Sequence, residues 1–172
     1  MTVRSEQVIG YSVFLNGTDY LGTSTADLPE VAFLSETIKG GGIAGEVEAP
    51  SPGQTSAMTL TLNWKTTERA SIQLLAPKVH ALDLRASIQK FDTNTNEYKE
   101  SALKITVRGR PLSGTLGGLE ASATMDSASA FSVIYIKILI DGEEVVEIDK
   151  FNYIFKVLGV DYLATTRANL GL

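Results

Sequence analysis

Apolar and polar residues alternate along much of the chain, and this alternation predicts a protein built mainly from β-strands. The clearest case is Met58–Trp64, in which Met, Leu, Leu and Trp alternate with Thr, Thr and Asn. A period of two residues is typical of a strand with one buried face. The run Ala130–Ile140 is rich in β-branched and aromatic side chains, which favour the same conformation.

Several further segments show strand patterning, and turn residues separate them. The predicted strands are Tyr11–Leu15, Asp19–Gly22, Val31–Ile38, Ile43–Glu48, Val79–Phe91, Glu97–Arg108, Leu119–Met125, Glu144–Ile148 and Phe151–Val157. Asn16-Gly17 and Asp141-Gly142 are residue pairs that tight hairpins favour, because both central positions need positive φ. The run Pro50–Gly53 is expected to end the strand before it, since proline cannot donate to a ladder. Gly109–Gly118 is expected to be a connection.

A first helix is predicted over Glu68–Leu75. Thr66 or Thr67 is a suitable N-cap for it, because a hydroxyl oxygen can accept a free N–H of the first turn. Ile72 and Leu75 are expected to face inward.

A second, short helix is predicted over Asp161–Leu170, with Asp161 as its cap and Gly171 just past its end. The resulting fold class is mainly β: two packed antiparallel sheets in a β-sandwich or half-barrel, one flanking helix and a short C-terminal helix. A chain of 172 residues is most simply one domain, residues 1–172. Such sheets have edges to protect, and joining copies edge to edge is one way to do so.

Composition excludes some functions. The net charge of −5 disfavours nonspecific binding to nucleic acid, which needs a basic face. The absence of cysteine excludes disulfides and thiolate metal sites. No segment has the length of a membrane span, and the N-terminus does not resemble a signal peptide. We therefore expect synthesis in the cytoplasm without an export signal.

The sequence shows no catalytic, metal or cofactor constellation. His80 is the only histidine and is expected at an ordinary surface or interface position. Gly40–Gly42 lacks the Lys-Ser/Thr of a phosphate loop, so a hairpin tip is the favoured interpretation. Glu46 and Glu48 share one face of a strand; they form either a solvated face or an acidic wall that repels a polyanion, and periodicity leaves both open.

Seven segments together resemble a known family. They are Val13–Gly17, Glu36–Val47, Met58–Trp64, Asp141-Gly142, Glu147–Tyr153, Gly159–Ala164 and Arg167–Leu172. In this order, and over essentially the whole length, they are similar to the major tail tube protein of contractile-tailed bacteriophages.

The resemblance implies a structural virion protein and no enzyme. Family members form sixfold rings that stack into a hollow tube inside the contractile sheath. Their strands join around each ring into a continuous inner barrel, through which viral DNA passes during ejection. The implied partners are further copies in a homo-hexamer, the tail sheath protein, the tape-measure protein, and baseplate and tail terminator proteins. The implied location is the phage tail, after assembly in the host bacterial cytoplasm.

The resemblance also suggests which residues carry the function. The glycine-rich tip is predicted to contact a neighbouring subunit, through Gly40, Gly41, Gly42, Ile43, Ala44 and Gly45. Glu36, Glu46 and Glu48, on the flanking strands, are predicted to line the lumen. Two alternatives stay open: the tube of an R-type bacteriocin or another contractile injection system without DNA cargo, and a small-ligand β-barrel binder or enzyme.

Overall fold

The computed structural model describes residues 2–23 and 25–172, which form twelve strands and two short helices. The strands are β1 (Val3–Leu15), β2 (Asp19–Leu21), β3 (Thr25–Asp27), β4 (Phe33–Lys39), β5 (Glu46–Thr55), β6 (Thr59–Trp64), β7 (His80–Asp92), β8 (Glu97–Thr115), β9 (Ser127–Ile140), β10 (Glu143–Asp149), β11 (Ile154–Val157) and β12 (Val160–Asp161). The helices are α1 (Arg69–Gln73) and α2 (Ala164–Leu170).

Ten strands form one large antiparallel sheet, whose main path is β12-β11-β10-β9-β8-β7-β1-β2. Along one edge of β9, the first half pairs with β6 and the second half with β10. The sheet therefore divides at Val133 and Ile134, and β6 carries β3 as its other neighbour. The remaining two strands, β4 and β5, form a separate hairpin. The predicted mainly β class with two antiparallel sheets is confirmed, although the two sheets are very unequal.

One buried apolar cluster holds the β6 branch against the rest of the large sheet. Trp64 and Phe131 are its largest fully buried side chains. Leu62 of β6, Leu82 of β7 and Val107 of β8 belong to the same cluster. The inward residues of β6, β7 and β8 are those that the alternating pattern indicates, because each of these strands has one covered face.

His80 is a member of this interior, so the prediction of a surface or interface position is wrong. The residue is 2% exposed. Its Nε2 donates to the Ala76 carbonyl at 3.0 Å, and its ring meets Phe131 edge to face. A buried imidazole with its polar atom satisfied in this way is a packing residue.

The strand predicted to end before Pro50 instead continues to Thr55. The prolines are tolerated because β5 pairs with β4 alone, so its other edge needs no amide donors. The pairing is irregular there, since Ser35 lies opposite Pro50 whereas Phe33 lies opposite Thr55. Gly53, with φ of 78°, is buried beneath Leu163, and a Cβ at Gly53 would come within 2.7 Å of that side chain.

The first helix is shorter than predicted and presents a different face. Glu68, not a threonine, is its N-cap residue, and Ser71 Oγ accepts the Glu68 N–H at 3.1 Å. Leu74 is buried, whereas Ile72 and Leu75 are 46% and 39% exposed. The inward prediction for these two residues is wrong, because a helix of this length buries only one narrow stripe.

Three other boundaries differ from the prediction. β1 begins at Val3 rather than Tyr11, and β8 runs on to Thr115 through the predicted connection. The strand predicted over Leu119–Met125 is absent from the described chain, and Leu119 is 90% exposed. The C-terminal helix starts at Ala164.

Leu163 is the N-cap of this C-terminal helix, so Asp161 is not its cap. Asp161 instead accepts the Leu163 N–H at 3.1 Å and pairs with Arg167 at 2.7 Å. The predicted glycine end is confirmed, since Gly171 has φ of 73°.

Candidate assembly interface

The β4–β5 hairpin projects as an exposed arm. Every residue of β4 is exposed, and so is every residue from 40 to 48. Its main contact with the rest of the subunit is with β11, where the rings of Phe33 and Phe155 lie 5.4 Å apart. An isolated two-stranded hairpin is at best marginally stable in water. The arm therefore has the properties of a segment that another surface covers.

The register of the hairpin sorts its side chains into two faces. Lys39 lies opposite Glu46, and Thr37 lies opposite Glu48. These four residues form the polar face, on which Lys39 and Glu46 are 3.7 Å apart and Ser35 donates to Glu48 at 2.5 Å.

The other side of the hairpin is its apolar face. It carries Leu34, Ile38 and Val47, which are 48%, 47% and 52% exposed. Glu36 lies on this face too, opposite Ala49. The three glutamates predicted to line the lumen are therefore divided, with Glu46 and Glu48 on one face and Glu36 on the other.

The glycine tip is open on the surface of the subunit. A Cβ added at Gly40, Gly41, Gly42 or Gly45 would meet nothing within 4 Å. Three of these residues have a positive φ that favours glycine, whereas Gly41 does not. Neither the packing within the subunit nor the backbone conformation explains glycine at position 41.

A second polar surface lies on the large sheet, on the side that faces away from the buried cluster. Its charges are mixed in sign, as the alternation of the β7–β8 hairpin predicts. The cations each have an acidic neighbour: Arg85 and Lys104 lie 3.9 and 3.7 Å from Asp83, Lys137 lies 2.8 Å from Glu144, and Lys156 lies 3.4 Å from Glu147. Arg108 stacks over the ring of Tyr135 at 4.9 Å.

The ion pairs hold their members in the charged form. The hydrogen bond from Lys137 lowers the pKa of Glu144, and the same bond raises the pKa of Lys137. Burial raises the pKa of Tyr135, and its hydrogen bond to Glu147 adds to this shift. The surface therefore carries fixed charges that largely compensate each other.

The large sheet also has two strand edges without a partner among the described residues. β1 pairs with β7 along its length, but β2 covers its other edge only from Val13 to Leu15. The segment from Val3 to Ser12 is thus open on one side. β8 extends past the end of β9, so Glu97–Ser101 is likewise open on the β9 side. Open edges present unpaired N–H and C=O groups to another chain.

The long edge of β1 was not visible in the sequence. Two bulges, between Ser5 and Gln7 and between Val8 and Gly10, interrupt the alternation there. Each bulge shifts the pattern by one residue, so a strict two-residue period fails. The signal that remains is the apolar pair Val8-Ile9 within a short polar run.

Within residues 2–23 and 25–172, no group of three or more acidic or histidine side chains could hold a metal ion. Neither helix of the described chain has the length and hydrophobicity needed to cross a bilayer. The surfaces described above are therefore of the kind that contacts other macromolecules.

Solved structures with this fold come from contractile injection systems. A chain in the sheath/tube terminator structure of the extracellular system PVC matches with a TM-score of 0.53 and 14% identity, over 78% of this chain and 96% of that one. A chain in the anti-feeding prophage baseplate structure, solved with sixfold symmetry, matches with a TM-score of 0.51 and 10% identity, over 79% and 97%. At such identities the similarity concerns the fold. The class of protein is thus a component of a contractile tail or injection apparatus.

The sequence comparisons give the family. The profile described as "Phage tail tube protein FII" matches residues 5–171. The tail tube protein of Escherichia phage P2 is 33% identical over 170 residues, which are 94% of each chain. The chain belongs to the phage tail tube protein FII family. It is a structural tail tube protein and a component of the virion, which confirms the family resemblance found in the sequence.

Proposed function

We propose that this chain assembles into sixfold rings that stack into the inner tube of a contractile phage tail, and that DNA passes through the tube during ejection. The observation that carries the proposal is the pair of open strand edges on one sheet. A subunit with two such edges can pair with a neighbour on each side, and closure into a ring removes every edge.

The two edges lie at the same end of the large sheet. β1 and β8 both flank β7, and the open segments Val3–Ser12 and Glu97–Ser101 lie opposite its C-terminal half. The sheet there is a three-stranded ribbon with a free edge on each side. Repetition of that ribbon around a symmetry axis produces a barrel lined by one face of each subunit.

The polar face of the large sheet is our candidate for the lumen. Nonspecific binding to DNA depends on free lysines and arginines, which release counterions from the phosphates. On this face the cations are already paired with Asp83, Glu144 and Glu147. Such a wall neither binds a polyanion tightly nor strongly repels it, which suits a channel through which DNA must slide.

The glycine tip and the glutamates retain their predicted roles within this proposal. Gly40–Gly45 would lie against a neighbouring subunit or ring. Glu46 and Glu48 are candidates for the lumen by virtue of their exposed polar face. Glu36 is on the other face, and this separates its role from theirs.

The partners follow from the same arrangement. A tube inside a contractile tail would contact the sheath on its outside, the tape-measure protein in its lumen, and baseplate and terminator proteins at its ends. The structures with a similar fold are described as a sheath/tube terminator and a baseplate, which supports partners of these kinds. The proposal assigns the chain no enzymatic activity.

Negative-stain electron microscopy of the purified protein tests the proposal. We expect hollow tubes of uniform width, with sixfold symmetry in end-on views. A protein that stays monomeric at high concentration would contradict it. Capsid genes beside the coding sequence would support a DNA cargo, whereas their absence would favour an injection system without DNA.

A further inference from the structure

We propose that the β4–β5 hairpin of one subunit docks, through its apolar face, into an open groove on the large sheet of a second copy. This docking rests on the proposed function, because it requires that copies of the chain assemble. It goes beyond that function by naming the two surfaces that meet.

The inserted surface is the apolar face of the hairpin. Leu34, Ile38 and Val47 are each about half exposed, as given above, and they lie on adjacent strands in register. Alternating apolar residues on paired strands form a flat surface about two strands wide. A surface of this kind is stabilised when it packs on a complementary apolar face.

The receiving surface is an open groove on the inner side of the large sheet. Ala86 and Leu103 form its floor, Val8 and Tyr11 of β1 form one wall, and Ala26 and Leu28 form the other. Val8 and Leu28 are 55% and 50% exposed. This is the part of the inner face that the β6 branch does not cover.

A subunit cannot fill its own groove with its own hairpin. The hairpin is attached beside β11, whereas the groove lies between β1, β7 and β8. Five strand-to-strand steps separate β11 from β1 in the sheet order, or about 24 Å at the usual spacing. The contact is therefore between two different surfaces on two copies, and contacts of this type propagate into rings or helical tubes.

Charge at the groove suits the hairpin. Glu36 is the one acidic residue on the apolar face, and no ion pair of the described chain includes it. Lys90 lies on the inner face of β7 beyond the groove floor. Its nearest acid is Asp141 at 4.0 Å, and that carboxylate already accepts from Ser101 and from the Ala102 N–H. Docking would bring Glu36 and Lys90 together.

Cross-linking within assembled tubes tests the contact directly, because the chain has no cysteine of its own. Val47→Cys is placed on the apolar face, and Leu28→Cys on the groove wall away from the open β1 edge. A mixture of the two variants, assembled and treated with a short bismaleimide, should give covalent dimers. Each variant alone should give none, since copies of one position do not meet in this contact.

Thr37→Cys is the matched control, because it lies on the polar face of the same hairpin. Mixed with Leu28→Cys, it should give far fewer dimers than Val47→Cys. Tubes that form normally but give no Val47–Leu28 dimers, or equal amounts with Thr37→Cys, would overturn the docking while the proposed function stands. If wild-type protein forms no tubes, the proposed function fails and the docking fails with it.

A charge exchange provides a second, independent readout. Glu36→Lys and Lys90→Glu should each abolish tubes while circular dichroism shows a folded subunit. An equal mixture of the two should restore tubes, since each hairpin then meets a groove of opposite charge. If both single variants assemble like the wild type, or if the mixture does not assemble, the pairing of Glu36 with Lys90 is refuted.

Discussion

Gly41→Val separates the stability of the subunit from its ability to assemble. Gly41 does not have a left-handed φ, and a Cβ there meets nothing within 4 Å. Substitution of such a glycine is tolerated and usually stabilises by about 0.4–1 kcal/mol, because it restricts the unfolded chain. We therefore expect the isolated subunit to be at least as stable as the wild type.

Gly42→Val is the matched comparison one residue further on. Gly42 has the same open surroundings but a φ of 90°, which a β-branched residue adopts only with strain. This strain costs about 1–3 kcal/mol. Urea denaturation of the dilute subunit should rank the stabilities as Gly41→Val, then wild type, then Gly42→Val.

Assembly should not follow this ranking. If the tip lies tightly against a neighbour, both valines block polymerisation, although only one destabilises the subunit. Sedimentation and negative-stain microscopy of concentrated protein measure this directly. Normal tubes from Gly41→Val would refute the close contact, because no property of the isolated subunit requires glycine at that position.

Three further predictions concern charge. Glu46→Lys with Glu48→Lys should slow DNA passage more than it harms assembly; loss of tubes with an intact subunit fold would instead place these residues in an interface. Asp83→Asn with Glu144→Gln leaves lysines of the polar face unpaired, so the tubes should retain DNA at low salt and release it as salt rises; unchanged retention would exclude this face from the lumen. Burial acts to raise the pKa of Asp161, but the arginine hydrogen bond and a backbone N–H outweigh it and lower that pKa below its ordinary 3.8. The resulting stability is present above pH 3.8 and is lost as pH falls through the lower folded value; Asp161→Asn should remove about 1 kcal/mol at neutral pH, measured by urea denaturation, and an unchanged acid midpoint would contradict this.

Sequence reasoning succeeded where the strands have one covered face and regular pairing. β7 and β8 pair without interruption from His80 to Asp92, so their alternation could be seen directly. It failed where tertiary context decides. β5 passes through two prolines only because its outer edge has no partner within the subunit, and no local signal encodes this.

The candidate interface was predictable in part for the same reason. The glycine tip is local, and the hairpin loop lies where the glycines indicate. The faces of the hairpin depend on register, which puts Glu36 opposite Ala49 and Glu48 opposite Thr37. A shift of one residue would exchange the faces, so sequence alone could not separate Glu36 from the other two glutamates.

The inner face of β7 is covered along only half its length, and this divides its side chains by the process that they stabilise. Leu82 is fully buried by the β6 branch, whereas Ile88, on the same face, stays partly exposed beside Val8. Leu82→Ala should therefore destabilise the subunit by about 2–5 kcal/mol. Ile88→Ala removes less buried surface and should cost the subunit about 1 kcal/mol or less, yet it should weaken assembly if a neighbour covers this half of the strand. Urea denaturation of the dilute subunit and sedimentation of the concentrated protein distinguish the two effects. An Ile88→Ala variant that forms tubes at the wild-type concentration would show that the uncovered half of β7 is not a contact surface.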